Sequence, residues 1–123
     1  MAKILIVEDD FMIADCLEEI LQDAGYDVCG IASEVEQAIR IGQEQRPELA
    51  IIDLRLAHGR LGTEVGAALG GGGGIGILYV TGNRDHPALA AVPADSCIAK
   101  PYSPDAVLAA LAAILRRMQP APA

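Results

Sequence analysis

The chain has 123 residues, 52% of them hydrophobic and 21% charged, and its 9 basic and 17 acidic residues give a formal net charge of -8. That length supports one domain burying roughly two-thirds of its unfolded surface without a disulfide or metal, and excludes two ordinary domains. The acidity disfavours nucleic acid, whose phosphates it would repel, and three Tyr, one Phe and no Trp leave little with which to stack on bases.

A continuous apolar run rich in β-branched residues at 3–7 marks a strand buried on both faces. Ile13, Leu17, Ile20, Leu21 and Ala24 then recur at helical spacing, and Gly25 supplies a left-handed stop. Residues 27–32 read as a second strand. Ser33-Glu-Val-Glu36 has the pattern of a capping box and predicts a helix with Val35, Ala38 and Ile39 inward, broken by Pro47. A third strand at 48–52 ends at Asp53. After a loop at 54–61 a short helix is expected at 63–69, then five glycines at 70–74 and a fourth strand at 75–80. Residues 84–91 predict an Ala-rich helix and 96–99 a short fifth strand. Ser103-Pro104 forms an N-cap and first turn. The last helix places Val107, Leu111, Ile114 and Leu115 on one face and ends in Arg116-Arg117, which suits its dipole. Residues 119–123 are expected to fray.

Five strands alternating with five helices imply a parallel sheet with right-handed crossovers, a single doubly wound α/β domain over residues 1–118. The longest apolar stretch, 106–115, is half a membrane span, and no secretory leader precedes the first strand. Cys16, Cys29 and Cys97 lack metal spacing and read as reduced thiols. The expectation is a cytoplasmic domain that engages neither membrane nor nucleic acid.

In such a sheet, ligands bind beyond the carboxyl ends of the strands. Those ends carry Glu8, Asp9 and Asp10 after the first strand, Asp53 after the third, Thr81-Gly82-Asn83 after the fourth and Lys100-Pro101 after the fifth. An acid before a helix is often only an N-cap, and a Thr after a strand only a turn residue. Four neighbouring strand ends bearing such groups together are harder to dismiss. Two carboxylates about 4 Å apart repel by up to about 4 kcal/mol at an effective dielectric near 20. If Glu8, Asp9 and Asp53 converge, Lys100 leaves the site formally at minus two, which a divalent ion balances. All-oxygen ligands favour Mg2+, or Mn2+, over zinc. An acidic pocket with a hydroxyl and a lysine suits phosphoryl transfer.

Ile4-Leu-Ile-Val-Glu-Asp9, Ile51-Ile-Asp-Leu54, Val80-Thr-Gly82 and Ala99-Lys-Pro101 resemble, in order and over essentially the whole chain, the receiver domain of two-component response regulators. The resemblance implies a flavodoxin-like, three-layer α/β/α fold with strand order 2-1-3-4-5. It implies a stand-alone response regulator in which Asp53 accepts a phosphoryl group from a sensor histidine kinase or a histidine phosphotransfer protein. Asp9 would bind Mg2+ directly and Glu8 mainly through water, with Asp53 and the backbone carbonyl of Arg55 completing the protein's ligands. Thr81 and Lys100 would each meet a phosphoryl oxygen, and Pro101 would follow a cis peptide. Asp10 is read as a helix-start residue. Such a domain is a phosphoacceptor rather than an enzyme in the ordinary sense, and signals to a downstream protein by contact, as a monomer or weak homodimer. Tyr102 and the last strand and helix are candidate contacts for that protein, while the loops around Phe11 and Pro101 would dock a phosphotransfer helix bundle.

Two departures stand out. Three residues before the lysine, where the family usually has Tyr or Phe, stands Cys97, and the segments flanking Thr81 are short. Tyr79-Val-Thr-Gly-Asn83 also resembles an atypical subset of receivers with an aromatic-Ala-Thr-Gly signature. A degenerate receiver acting without phosphorylation is the alternative. A flavodoxin-like cofactor binder is disfavoured because Glu-Asp-Asp stands where a phosphate loop belongs, and an Mg2+-dependent phosphatase because the chain has no room for a cap. Gly71, Gly73 and Gly76 satisfy G-x-G-x-x-G, but with the helix before and the strand after, the reverse of a dinucleotide site.

Overall fold

The computed structural model describes residues 2–118; the expected frayed tail at 119–123 lies outside them. In chain order the elements are β1 (Lys3–Val7), α1 (Phe11–Asp23), β2 (Asp27–Ala32), α2 (Val35–Gln45), β3 (Leu49–Asp53), α3 (Gly62–Leu69), β4 (Gly76–Thr81), β5 (Cys97–Ala99) and α4 (Pro104–Met118). The strands pair in parallel in the order β2-β1-β3-β4-β5. No helix among the described residues is long and apolar enough to cross a membrane.

Because successive residues of a strand face opposite ways, a strand covered on both sides must be apolar throughout. All of β3 is buried accordingly. Leu5, Val7, Ala50, Ile52 and Tyr79 pack with Val35, Ala38, Val65 and Leu69 of α2 and α3. Their neighbours Ile4, Ile6, Leu49, Ile51, Leu78 and Val80 pack on the other face with Ala14, Leu17 and Leu21 of α1 and Val107, Leu111 and Ile114 of α4. The three layers expected from the sequence are thus present.

Helix starts follow local chemistry. Asp10 caps α1 by accepting from the amides of Met12 (2.9 Å) and Ile13 (3.2 Å), which accounts for it as a helix-start residue. Gly25 takes φ 92° beyond the helix end. Ser103 Oγ accepts from the Ala106 amide at 3.1 Å and opens α4. The capping box expected at Ser33 does not form. The helix begins at Val35, Glu34 in the cap position makes no side-chain cap bond, Glu36 pairs with Arg60 at 2.8 Å, and it is Gln37 Oε1 that accepts from the Ser33 amide at 3.1 Å.

The larger correction concerns residues 84–91. Instead of a fifth helix, the link from β4 to β5 holds two short 3-10 turns, Pro87–Leu89 and Ala94–Ser96, and the described residues contain four α-helices. The His86 side chain accepts from the Ala88 amide at 3.0 Å, and Pro87 and Pro93 each remove a backbone donor. With so short a stretch between them, alanine propensity cannot offset the cost of helix nucleation.

Close approach positions the site. A Cβ on Gly62 would lie 2.2 Å from the Asp53 carbonyl oxygen, and one on Gly66 would lie 1.8 Å from the Tyr79 hydroxyl. Two glycines four residues apart therefore let α3 lie directly on β3 and β4, fixing the end of the strand that carries Asp53.

Candidate functional site

Glu8 directly follows β1, Asp53 is the last residue of β3, Thr81 the last of β4, and Lys100 directly follows β5. Parallel pairing brings these ends to one edge of the sheet. Glu8, Asp53 and Thr81 are the buried polar side chains of an otherwise apolar interior, among the described residues. Carboxylate oxygens of Glu8, Asp9 and Asp53 all lie within 4.8 Å of one another, with Asp9 exposed at the rim. Lys100 Nζ donates to Glu8 Oε1 at 2.9 Å and to Asp53 Oδ2 at 3.1 Å.

Burial pushes the Glu8 carboxyl up to about 7, reinforced by Asp53 beside it; the Lys100 ammonium and the Asp10 amide, which donates to Glu8 Oε2 at 3.2 Å, pull the other way without prevailing. Burial also works against the Lys100 ammonium, but Glu8 and Asp53 outweigh it and hold that group above the ordinary lysine value. One ammonium therefore does not neutralise the cluster. Three carboxylate oxygens so close together form a hard, all-oxygen donor set that fits Mg2+ or Mn2+.

Beside the cluster a cleft of about 320 Å³ is lined by Asp53, Arg55, Thr81, Gly82, Asn83 and Lys100. Thr81 Oγ1 accepts from the Asn83 amide at 3.0 Å and donates to the Asn83 carbonyl at 3.3 Å. Arg55 is exposed at the cleft's mouth, its backbone bridged antiparallel to Leu61. The peptide between Lys100 and Pro101 is cis. Of the residues singled out from the sequence, Asp53, Arg55, Thr81 and Lys100 line this cleft, and Glu8 and Asp9 join Asp53 in the carboxylate cluster beside it. Asp10 does not join the cluster, because its carboxylate is spent on the α1 cap. Cys97 is buried on β5, and burial raises its thiol above the ordinary value despite Arg84 nearby.

Next to Lys100 lies an apolar groove of about 470 Å³, lined by Met12, Ile13, Cys16, Ile20, Pro101 and Tyr102. Phe11 and Met12 beside it are 80% and 79% exposed. Ile13 and Ile20, which recur at helical spacing with Leu17 and Leu21, line this groove while half-buried, and Ile20 also packs against the core. Part of the signal for the groove was present: Met12 is apolar but lies opposite the stripe formed by Ala14, Leu17 and Leu21.

The family described as response regulator receiver domain matches residues 4–112. The DNA-binding response regulator MtrA of Mycobacterium tuberculosis H37Rv is 32% identical over 124 residues, covering 98% of this chain and 54% of that protein. The phyllosphere-induced regulator PhyR of Methylorubrum extorquens is 31% identical over 122 residues, covering 92% of this chain and 43% of that protein. The chain spans about half the length of these curated relatives. Among solved structures, the signal receiver domain of a modulated diguanylate cyclase from Desulfovibrio desulfuricans G20 superposes with a TM-score of 0.83 at 26% identity, covering 96% of each chain. The receiver domain of PhyR from Erythrobacter litoralis gives 0.85 at 23% identity, covering 99% of this chain and 95% of that one, a likeness of fold.

Proposed function

The chain belongs to the response regulator receiver family, and from that premise we propose that Asp53 accepts a phosphoryl group from phosphohistidine on a histidine kinase or phosphotransfer protein and that the phosphorylated domain signals by protein contact. The observation that carries this reading is the position of Lys100 Nζ, within hydrogen-bond distance of both Glu8 and Asp53 at the edge of a carboxylate cluster suited to a divalent ion.

In the reaction, an Asp53 carboxylate oxygen attacks phosphorus and the P–N bond of the donor breaks. The electron pair leaves with the imidazole nitrogen, which takes a proton from solvent. Lys100 meets one equatorial oxygen and the Thr81 hydroxyl another, where charge builds up in the transition state. Asp9, Asp53, Glu8 and the Arg55 carbonyl are the groups that would hold Mg2+, which when bound would supply positive charge to offset the negative charge of nucleophile and phosphoryl group. The apolar groove, with Phe11 and Met12 at its rim, supports docking of the donor's helix bundle beside the site.

Intact mass after incubation with Mg2+ and a small phosphodonor tests the reading. One added phosphoryl group is expected, and none in Asp53→Asn or in the presence of a chelator. If neither the small donor nor a phosphorylated kinase gives the adduct, the chain acts as a phosphorylation-independent interaction module instead.

A further inference from the structure

Helix α1 carries four carboxylates, Asp15, Glu18, Glu19 and Asp23, and no cation. Three of them, Asp15, Glu19 and Asp23, are exposed and stand four residues apart, so they form one row along the helix with steps of about 6 Å. Met12, Cys16 and Ile20, also four apart, form the neighbouring row and make the α1 side of the apolar groove. On the helix circumference the core stripe of Ala14, Leu17 and Leu21 flanks this row on one side and the acid row flanks it on the other. Pro101 and Tyr102 make the groove's far side, and Lys100 stands at the end nearest the carboxylate cluster. The groove is therefore apolar along its floor, positive at one end and negative along its outer rim.

Nothing within the fold offsets the acid row. Like charges four residues apart on a helix repel, and Asp23 ends α1 where the helix dipole is already negative. None of the three carboxylates has an ion-pair partner among the described residues. Helix α4, which shares this side of the sheet, has no charged residue between Asp105 and Arg116. A row that weakens its own helix and meets no cation inside the molecule is suited to meeting one outside it.

Resting on the phosphoacceptor reading, we infer that the phosphodonor helix that docks in this groove is basic: its apolar residues cover Met12, Cys16 and Ile20, and a row of Lys or Arg four residues apart meets Asp15, Glu19 and Asp23. Charge complementarity also sets how that helix is laid down. The phosphohistidine lies toward Lys100, and the basic row runs away from it toward Asp23. An acidic donor helix of the same shape meets three like charges, so the row selects among donors. Asp15, Glu19 and Asp23 lie outside the carboxylate cluster and act on docking rather than on the transfer step.

The probes are two synthetic helices of equal length, each with a leucine row and one histidine near an end, phosphorylated with phosphoramidate. The row beside the leucines is lysine in one and glutamate in the other. Binding of the unphosphorylated helices to the full chain is read by fluorescence anisotropy, and transfer with Mg2+ by intact mass. Phosphoimidazole serves as the donor that has nothing to dock. The lysine helix is expected to bind about eightfold tighter than the glutamate helix, and below saturation to transfer faster by the same factor, roughly twofold for each of three exposed pairs. High salt should shrink that preference. Asp15→Asn/Glu19→Gln/Asp23→Asn should abolish it while phosphoimidazole still labels Asp53 at the wild-type rate, and relief of repulsion should leave this variant at least as stable to urea as the wild type. Glu34→Gln/Glu44→Gln/Asp85→Asn, an equal change of charge on the α2 side of the sheet, should keep the preference. If the two helices bind alike, if neither binds, or if the α1 variant keeps the preference, the basic donor is overturned and the phosphoacceptor reading stands on phosphoimidazole labelling. If phosphoimidazole gives no adduct, the phosphoacceptor reading falls and the donor assignment with it, whatever the helices bind.

Discussion

Glu8 bears most of the strain of placing two buried carboxylates around one lysine. Its folded-state value of about 7 lies above the ordinary 4.5, so the metal-free fold prefers the protonated acid. The sign follows from proton linkage: this group's contribution to stability is fully present below pH 4.5 and is lost as pH rises through 7. A divalent ion reverses the preference, because it binds the ionised form. Mg2+ affinity measured by calorimetry is therefore expected to be about tenfold weaker at pH 6 than at pH 8, as the ionised fraction of a group titrating near 7 dictates. Glu8→Gln should flatten that dependence; a wild-type affinity independent of pH would refute it. At this scale the sequence was informative where chemistry and position coincide, as with Asp53 and Lys100 at strand ends. It was silent where a backbone group does the holding: nothing in the identity of Asn83 says that its amide and carbonyl grip Thr81.

Two contacts decide how well the elements are joined. Gly66 on α3 faces the Tyr79 hydroxyl so closely that an added methyl must displace either the ring or the helix. Gly66→Ala is expected to lower stability by about 1–3 kcal/mol, the usual cost of overpacking, read by urea denaturation. Combining it with Tyr79→Leu, which removes the ring, should recover part of that loss. An additive double mutant would show that the two residues do not meet. At the end of α2, Arg46 takes φ 51°, a left-handed conformation that burdens any side chain. Arg46→Gly relieves it at some expense in unfolded-state entropy, for an expected gain of about 0.5–1 kcal/mol in the same assay. Strands were legible because double-sided burial leaves an unbroken apolar run. The 84–91 helix was misread because Ala-rich composition reports propensity, whereas two prolines and a histidine side chain competing for an amide decide the backbone.

At the scale of the molecule, a net charge of -8 becomes more negative by about 1.5 to 2 when a phosphoryl group is added. The exposed apolar pair, Phe11 and Met12, is where an acidic surface still offers a donor something to bury. Phe11→Ala is expected to slow transfer from a phosphotransfer protein about tenfold, as loss of an aromatic anchor does, while leaving phosphorylation by a small donor unchanged. Equal slowing with both donors would place Phe11 in the chemistry rather than in docking. Periodicity made the alternation of strands and helices readable, while the strand order came from the family resemblance. The grooves were not readable, because they arise where residues from separate elements meet.

The sheet is a partition as well as a scaffold. Ile20 and Tyr102 of the apolar groove pack with the α1 and α4 layer, whereas Leu89, Val92 and Cys97 beneath the 83–96 segment pack with the α2 and α3 layer. The groove beside Lys100 and the cleft beneath the β4–β5 connection thus lie on opposite faces of the sheet, so a body seated in one leaves the other uncovered.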